Sequence, residues 1–291
     1  MLVDEVVSLI QPRTDGVYVD CTIGLGGHTA ALLAAGAGRV LGLDRDEAAL
    51  DAARARLGES GRVDLVHADY RELPRVLREH GLDAVDGALA DLGVSSMQLD
   101  DPGRGFSFRM DGPLDMRMDR SRGVPVSELI RQSDEATLAD VIFQFGEERH
   151  ARRVARAIVR ARDRQPLTRT TELASVVRSA AGGRGWQRID PATRTFQALR
   201  IWVNRELDGL DAFLIAAAAA LRVGGRLAVI AFHSLEDRVV KQTFRALSAP
   251  VEQAPASVRL ITRKPIVPGD TEISRNPRAR SARLRGLERV A

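Results

Sequence analysis

The 291-residue chain contains one cysteine, Cys21, so no internal disulfide is possible, and a reducing compartment is expected. No apolar run approaches the ~20 residues a membrane helix requires. The N-terminus carries Asp4 and Glu5 rather than a basic segment followed by an apolar one, so no signal peptide is visible. These absences predict a cytoplasmic protein without membrane attachment. Only two lysines occur, Lys241 and Lys264, among 43 basic residues. Arginine is suited to bidentate phosphate contact and base stacking, which makes a nucleic-acid partner plausible, though a composition bias would give the same count. No cluster of His and Cys has metal-ligand spacing, so no metal is expected.

Hydrophobic residues make up 44% and charged residues 28%, an ordinary globular composition. At ~150 residues per domain, the length suggests about two domains. The first hundred residues repeat one unit, an apolar strand that ends at a carboxylate. The four copies close on Asp20, Asp44, Asp69 and Asp91. Helix-like stretches at 27–36, 46–57 and 71–80 separate them, with Asp44 a possible cap for the second. This alternation predicts βαβ units and a parallel sheet, whose ligands sit beyond the carboxyl ends of the strands.

From about residue 102 the rhythm breaks into a stretch rich in Gly, Met, Arg and Asp that reads as an ordered loop. Helical patterns follow at 134–145, capped by Asp134, then at 147–164 and at 170–181, before a break at Gly182-Gly183-Arg184-Gly185. The α/β pattern returns with a helical stretch over 191–221, a strand over 226–232, a helix over 235–247 and a tail in which 281–285 can form a final strand. The expected organisation is one α/β domain, residues 1–103 and 191–291, carrying an all-helical insertion at 104–190.

Between the first strand and the first helix lies Asp20-Cys21-Thr22-Ile23-Gly24-Leu25-Gly26-Gly27-His28. A dinucleotide loop wants Gly-x-Gly-x-x-Gly, but the third glycine position here is Thr29. S-adenosylmethionine carries an amino-acid end, ribose hydroxyls and adenine but no phosphate. It needs a glycine turn for close backbone approach and carboxylates as acceptors. Asp44 stands where a carboxylate would take the ribose hydroxyls, and Asp69-Tyr70 where a ring would stack on adenine. Each also has a plain structural alternative, a helix cap for Asp44 and a core ring for Tyr70.

Longer motifs carry a resemblance. They are Asp91-Leu-Gly-Val-Ser-Ser-Met-Gln98-Leu-Asp-Asp101, Arg104-Gly-Phe-Ser-Phe108, Asp111-Gly-Pro-Leu-Asp-Met-Arg-Met-Asp119, Phe232-His-Ser-Leu-Glu-Asp-Arg238 and Asn276-Pro-Arg-Ala-Arg280. With these the chain closely resembles, over nearly its whole length, the ribosomal RNA small subunit methyltransferase H family, the 16S rRNA cytosine-N4 methyltransferases. The resemblance implies a Rossmann-like class I S-adenosylmethionine methyltransferase sheet with an inserted helical substrate-recognition domain. It implies 16S ribosomal RNA, within the small ribosomal subunit, as partner. It also implies cofactor contacts at Gly26, Gly27, His28, Asp44, Tyr70, Asp91 and Gln98. Members of the family begin with a short segment ahead of the motif found here at Leu2–Val6, and this chain starts inside that motif.

The chemistry of an exocyclic amine directs attention to Asp91, which with neighbouring carbonyls can accept from the amine or from the cofactor's amino group. Reaching such an amine takes an unstacked base. Phe106 and Phe108, flanking Ser107 beside Arg109, are candidates to stack on it and bind it, with a core role for one ring as the alternative. His233 is a second choice as proton acceptor, because Ser234-Leu-Glu-Asp237 reads as a capping box. Arg149, Arg152, Arg153, Arg156 and Arg160 recur at helical spacing, suited to phosphate or to a solvated face alike. Two other functions stay open: transfer to DNA or a small amine, and a cofactor-bound assembly chaperone without turnover.

Overall fold

A computed structural model describes residues 1–58, 61–181, 190–250 and 256–291. The chain separates into two compact units, one made of residues 1–93 and 207–291 and the other of 94–206.

In the first unit the elements are α1 (Val3–Ile10), β1 (Val17–Asp20), α2 (Gly27–Ala34), β2 (Arg39–Asp44), α3 (Glu47–Leu57), β3 (Val63–His67), α4 (Leu73–Glu79) and β4 (Val85–Asp91). The second unit holds α5 (Ser96–Asp100), α6 (Val126–Gln132), α7 (Glu135–Gly146), α8 (Ala151–Arg162), α9 (Thr170–Ala181) and α10 (Ala192–Asn204). The chain then returns to the first unit with α11 (Leu210–Ala219), β5 (Leu221–Ala231), α12 (Ser234–Leu247), β6 (Val258–Leu260), α13 (Asp270–Arg275) and β7 (Arg283–Arg289).

The seven strands form one sheet in the order β3-β2-β1-β4-β5-β7-β6. The first five run parallel, and β7 pairs antiparallel with both β5 and β6. Strand residues alternate between two apolar layers. Val19, Leu41, Ala88 and Val229 face a layer completed by Leu73, Leu77, Phe213 and Leu214. Tyr18, Val40, Leu89 and Ile230 face the other, completed by Leu2, Val6, Leu9 and Leu32. A parallel sheet must be covered on both faces, which is why its strands read as apolar runs rather than as alternating polar and apolar residues. This is the expected Rossmann-like α/β sheet. The strand order reverses between β1 and β4, which opens a crevice at their carboxyl ends.

The helical unit is built on its own core, with Ile130, Leu138, Ile142, Val154, Ile158, Leu173, Phe196 and Leu199 at its centre. Leu99 of α5 and Phe196 of α10 both pack on that core, so the unit extends beyond the 104–190 read from the sequence. The helix expected over 191–221 is two helices. Arg205 adopts φ +50° and ends α10, while Gly209 at φ +66° opens α11. The expected glycine break at 182–185 lies outside the described residues. The stretch after residue 102 is an ordered loop, as expected, followed by the short α6. The Asn204 amide donates to the Met116 carbonyl and accepts from the Met118 amide, each at 2.7 Å. Asp115 is held by the Arg117 guanidinium at 2.7 Å. Gly105 sits at φ +75°, where an added Cβ would collide with the Pro113 carbonyl. Much of the Asp111–Asp119 motif is thus accounted for by the loop's own hydrogen bonding.

Candidate functional site

The crevice of the sheet is lined by the segment joining β1 to α2, which four hydrogen bonds tie to the end of β1 and to the neighbouring strand ends. Asp20 is buried and accepts from the Thr29 hydroxyl at 2.8 Å and from the Thr22 amide at 3.3 Å. The Thr22 hydroxyl accepts from the Asp91 amide at 2.6 Å. The Gly24 amide donates to Asp44 Oδ2 at 2.9 Å. Between these anchors the backbone turns through Gly24 at φ +51° and Gly26 at φ +72°. Gly26 is the residue preceding α2, and a Cβ there would press on Leu57 at 3.0 Å. Left-handed backbone and close packing together require glycine at this position. The loop therefore presents the amino end of α2 to the crevice.

Asp44 accepts a second backbone bond, from the Asp46 amide at 2.9 Å. Each of its oxygens is thus bound once and keeps one lone pair for a ligand. Burial pushes its pKa up. The cap of α3 is Asp46, whose carboxylate accepts from the Ala48 amide, not Asp44 as the alternative reading had it. Asp69 lies two residues beyond β3 and caps a 3-10 turn over Tyr70–Glu72. Burial raises its pKa, but Arg71, bound to both carboxylate oxygens at 2.7 Å, and Arg45 outweigh it, and the net shift is downward. Asp69 is thereby committed to its arginines. Tyr70, half-buried, rests its ring against Phe213 of α11 at 4.6 Å between centroids, with the Arg71 guanidinium 5.8 Å from its own centroid. Phe213 backs the ring from 143 positions further along the chain, and nothing in the local sequence announces it.

His28, on α2, places Nε2 2.8 Å from the Met1 carbonyl. A carbonyl only accepts, so Nε2 carries the proton and Nδ1 is the unprotonated nitrogen. Burial lowers the ring's pKa and keeps it neutral, and Nδ1 faces Asp91 Oδ2 at 3.7 Å. Burial also pushes Asp20 up to about 6 and Asp91 up to about 7. The Asp91 side chain is 22% exposed, yet its Oδ1 atom is buried and has no hydrogen-bond partner. A carboxylate oxygen held in this way is a vacant acceptor, aligned by the Thr22 bond to its own backbone.

Gly26, Gly27, His28, Asp44, Tyr70 and Asp91 thus gather at the carboxyl ends of β1, β2, β3 and β4. Gln98 lies in the helical unit and closes a capping box on α5. Its side-chain oxygen accepts from the Ser95 amide at 3.0 Å, while the Ser95 hydroxyl accepts from the Gln98 amide at 3.2 Å. Phe106 corrects an expectation. It is 6% exposed, a core side chain of the helical unit, and offers no open face for a base to stack on. Phe108 is half-buried, edge-on to Phe196 at 4.8 Å, with Arg178 5.4 Å from its centroid. The two rings do not form an exposed platform. Arg109 is exposed.

His233, following β5, is corrected as well. It caps α12 in place of Ser234, its Nδ1 accepting from the Glu236 amide at 3.3 Å, and Glu236 Oε2 accepts from the Phe232 amide at 2.9 Å. Its Nε2 lies 3.1 Å from Glu236 Oε1. A ring whose Nδ1 lone pair is taken by a backbone N–H is a helix cap, and its buried Nε2 has no hydrogen-bond partner among the described residues. Among the described residues no helix is long and apolar enough to cross a membrane.

Comparison with known proteins gives a family. Residues 1–290 match the model of the MraW methylase family. A curated Sorangium cellulosum protein, ribosomal RNA small subunit methyltransferase H, is 54% identical over 287 residues, covering 98% of this chain and 89% of the relative. One of the same name from a Geobacter species is 48% identical over 304 residues, covering 100% and 97%. Among solved structures, a Streptococcus mutans protein described as a methyltransferase, in complex with SAH, aligns at a TM-score of 0.45. That alignment has 12% identity and covers 100% of this chain and 98% of the other.

Proposed function

The chain belongs to the MraW methylase family, which acts with S-adenosylmethionine, and from that premise we propose that it methylates the exocyclic N4 amine of a cytidine in the decoding region of 16S ribosomal RNA. The relatives' names support the RNA class. The observation that carries the chemistry is the vacant, buried Oδ1 of Asp91 at the crevice, beside an Asp44 with a lone pair left on each oxygen.

The residues fit the cofactor. Asp44, with a free lone pair on each oxygen, suits the two ribose hydroxyls, and Tyr70, backed by Phe213, suits stacking on the adenine. The backbone at Gly26 and Gly27, where α2 begins, suits the methionine carboxylate. Asp91 Oδ1 suits the methionine ammonium, and the neutral His28 ring lies beside the other carboxylate oxygen. Gln98 closes the helix that follows this segment of chain. When bound, S-adenosylmethionine supplies an electrophilic methyl on a sulfonium.

An N4 amine is a weak nucleophile because its lone pair is delocalised into the ring. Catalysis therefore consists of holding it in line and engaging its N–H groups. Asp91 and the neighbouring backbone carbonyls are the acceptors at hand. The amine gains a methyl and releases one proton to water, because an Asp91 engaged by the methionine ammonium stays a carboxylate and serves as acceptor rather than base. Arg109 and Phe108 are proposed substrate contacts, Arg109 through phosphate and Phe108 through its remaining exposed edge. Phe106 supports them from the core.

The test is a side-by-side assay of labelled methyl transfer to small ribosomal subunits, DNA and small amines. The proposal expects label in 16S RNA alone. Transfer to DNA or to free amines at comparable rates would overturn the substrate class.

A further inference from the structure

Helix α8 has one buried face and one cationic face. Ala151, Val154, Ala155 and Ile158 enter the core of the helical unit. On the opposite side Arg152, Arg153, Arg156 and Arg160 are exposed, and Arg149, just ahead of the helix, extends the row. The helix holds five arginines and no acidic residue in its 12 positions. Within the helix, Arg152, Arg156 and Arg160 are spaced by four residues each, which puts them on one stripe. At ~1.5 Å rise per residue, Arg152 to Arg160 spans about 12 Å, enough to meet several backbone phosphates of a nucleic acid.

Arginines elsewhere in this unit have structural work. Arg104 donates to the Met118 carbonyl at 2.8 Å, and Arg162 donates to the carbonyls of Ile130 and Ser133. The stripe is different. Arg156 pairs with Glu135 at 3.2 Å, and Arg153 donates to the Ala181 carbonyl at 2.6 Å. The side chains of Arg149, Arg152 and Arg160 make no hydrogen bond or ion pair among the described residues. A solvated helix face ordinarily alternates charge sign, because like charges three or four residues apart disfavour the helix. This face instead concentrates one charge and leaves part of it unneutralised.

We propose that the exposed arginine stripe of α8 is a phosphate-binding surface that holds the ribosomal RNA substrate through its backbone. This rests on the proposed RNA substrate and adds the surface that binds it. Arginine forks match phosphate oxygens in pairs, and such contacts position a nucleic acid without reading its sequence. The stripe therefore governs affinity and its salt dependence, and leaves the chemical step alone.

The experiment compares the full-length wild type with R152Q/R160Q, and with R78Q, which removes an exposed arginine of α4, as control. Binding to a 16S RNA fragment is titrated between 50 and 200 mM KCl, and methyl transfer to small subunits is measured in parallel. Each lost phosphate contact lowers the slope of log affinity against log salt by about 0.7–0.9. The double variant is expected to lose about 1.5 from the slope and about tenfold or more in affinity near 0.1 M salt. Its KM is expected to rise, with kcat, cofactor affinity and melting temperature held, and R78Q is expected to match the wild type. R149Q/R152Q gives the same readout with a different pair.

A slope equal to wild type in both double variants overturns the proposal while the RNA methylation reading stands. Weakened binding to assembled subunits with unchanged binding to naked RNA overturns it in favour of an acidic protein partner. A wild type that neither binds nor methylates RNA overturns the substrate reading, and the stripe's role with it.

Discussion

The vacant oxygen of Asp91 sets cofactor binding against stability, and Asp91→Asn separates the two. Burial pushes this carboxylate up to about 7, against an ordinary value near 3.8. Below about pH 7 it is protonated, loses its charge and is a poorer partner for a cationic amino group. Affinity for S-adenosylhomocysteine, which carries the same amino-acid end, should fall as pH falls. For one proton at a pKa of about 7, the affinity at pH 6 is about tenfold weaker than at pH 8. Asp20, pushed up to about 6, steepens the loss further below that. The stability term has the opposite sign. A raised pKa means that the folded state holds the proton more tightly than the unfolded state. The stabilisation is full below about pH 4 and is lost as pH rises through about 7. A shift of about three units corresponds to about 4 kcal/mol at most, and the 22% exposure of the side chain lowers that figure.

Asp91→Asn removes the charge, and its new amide can donate to His28 Nδ1, so the ligand-free variant should gain on the order of 2 kcal/mol at pH 8. The same variant should bind S-adenosylhomocysteine at least tenfold more weakly at pH 8, with a flat pH profile between 6 and 8. Isothermal titration across that range, with thermal unfolding of the ligand-free proteins, reads both quantities. A wild-type affinity independent of pH, or a variant that keeps the wild-type slope, would refute the role given to Asp91.

Asp44→Ala removes an acceptor used by the Gly24 and Asp46 amides and, in the proposed complex, by the ribose. Cofactor affinity should fall by about 10- to 100-fold on loss of one or two charge-assisted bonds, and equilibrium dialysis showing less than a threefold change would contradict the assignment. Gly26→Ala imposes a side chain at φ +72° against Leu57, at a cost of about 1–2 kcal/mol, and should lower both the melting temperature and cofactor affinity. Phe106→Ala should destabilise the protein by about 3–5 kcal/mol, as expected for a core aromatic, measured by urea unfolding. Arg109→Ala should leave unfolding unchanged and raise KM for the RNA substrate.

The sheet was legible because its information is local. Each of the first four strands is an apolar run with a carboxylate at or just past its end, and the Gly24–Gly27 turn follows the first. The vicinity of the candidate cofactor site follows from that pattern, since ligands collect at strand ends whatever the details. What escaped depends on partners distant in sequence or on single backbone angles. Asp44 and Asp46 are equally good caps on paper, and the choice is made by which carboxylate faces the Gly24 amide. The break between α10 and α11 begins at Arg205, a non-glycine residue in the left-handed region that no turn signature marks. The Phe106-Ser-Phe108 alternation suggests a shared face. The backbone at Gly105 instead leads into a loop wrapped on the helical core, which takes Phe106 inside and leaves Phe108 against Phe196. The capping of α12 by His233 was hidden because a serine, the commoner cap, stands next to it.

The central claim is the transfer of a methyl group to a cytidine N4 amine of 16S RNA. It is tested most directly by incubating the protein and labelled S-adenosylmethionine with small ribosomal subunits from a strain lacking this gene, then digesting the RNA for nucleoside mass spectrometry. The account predicts labelled N4-methylcytidine with the wild type and its loss with Asp91→Ala. Cofactor binding without any methylated cytidine, or label on a different nucleoside, would contradict it.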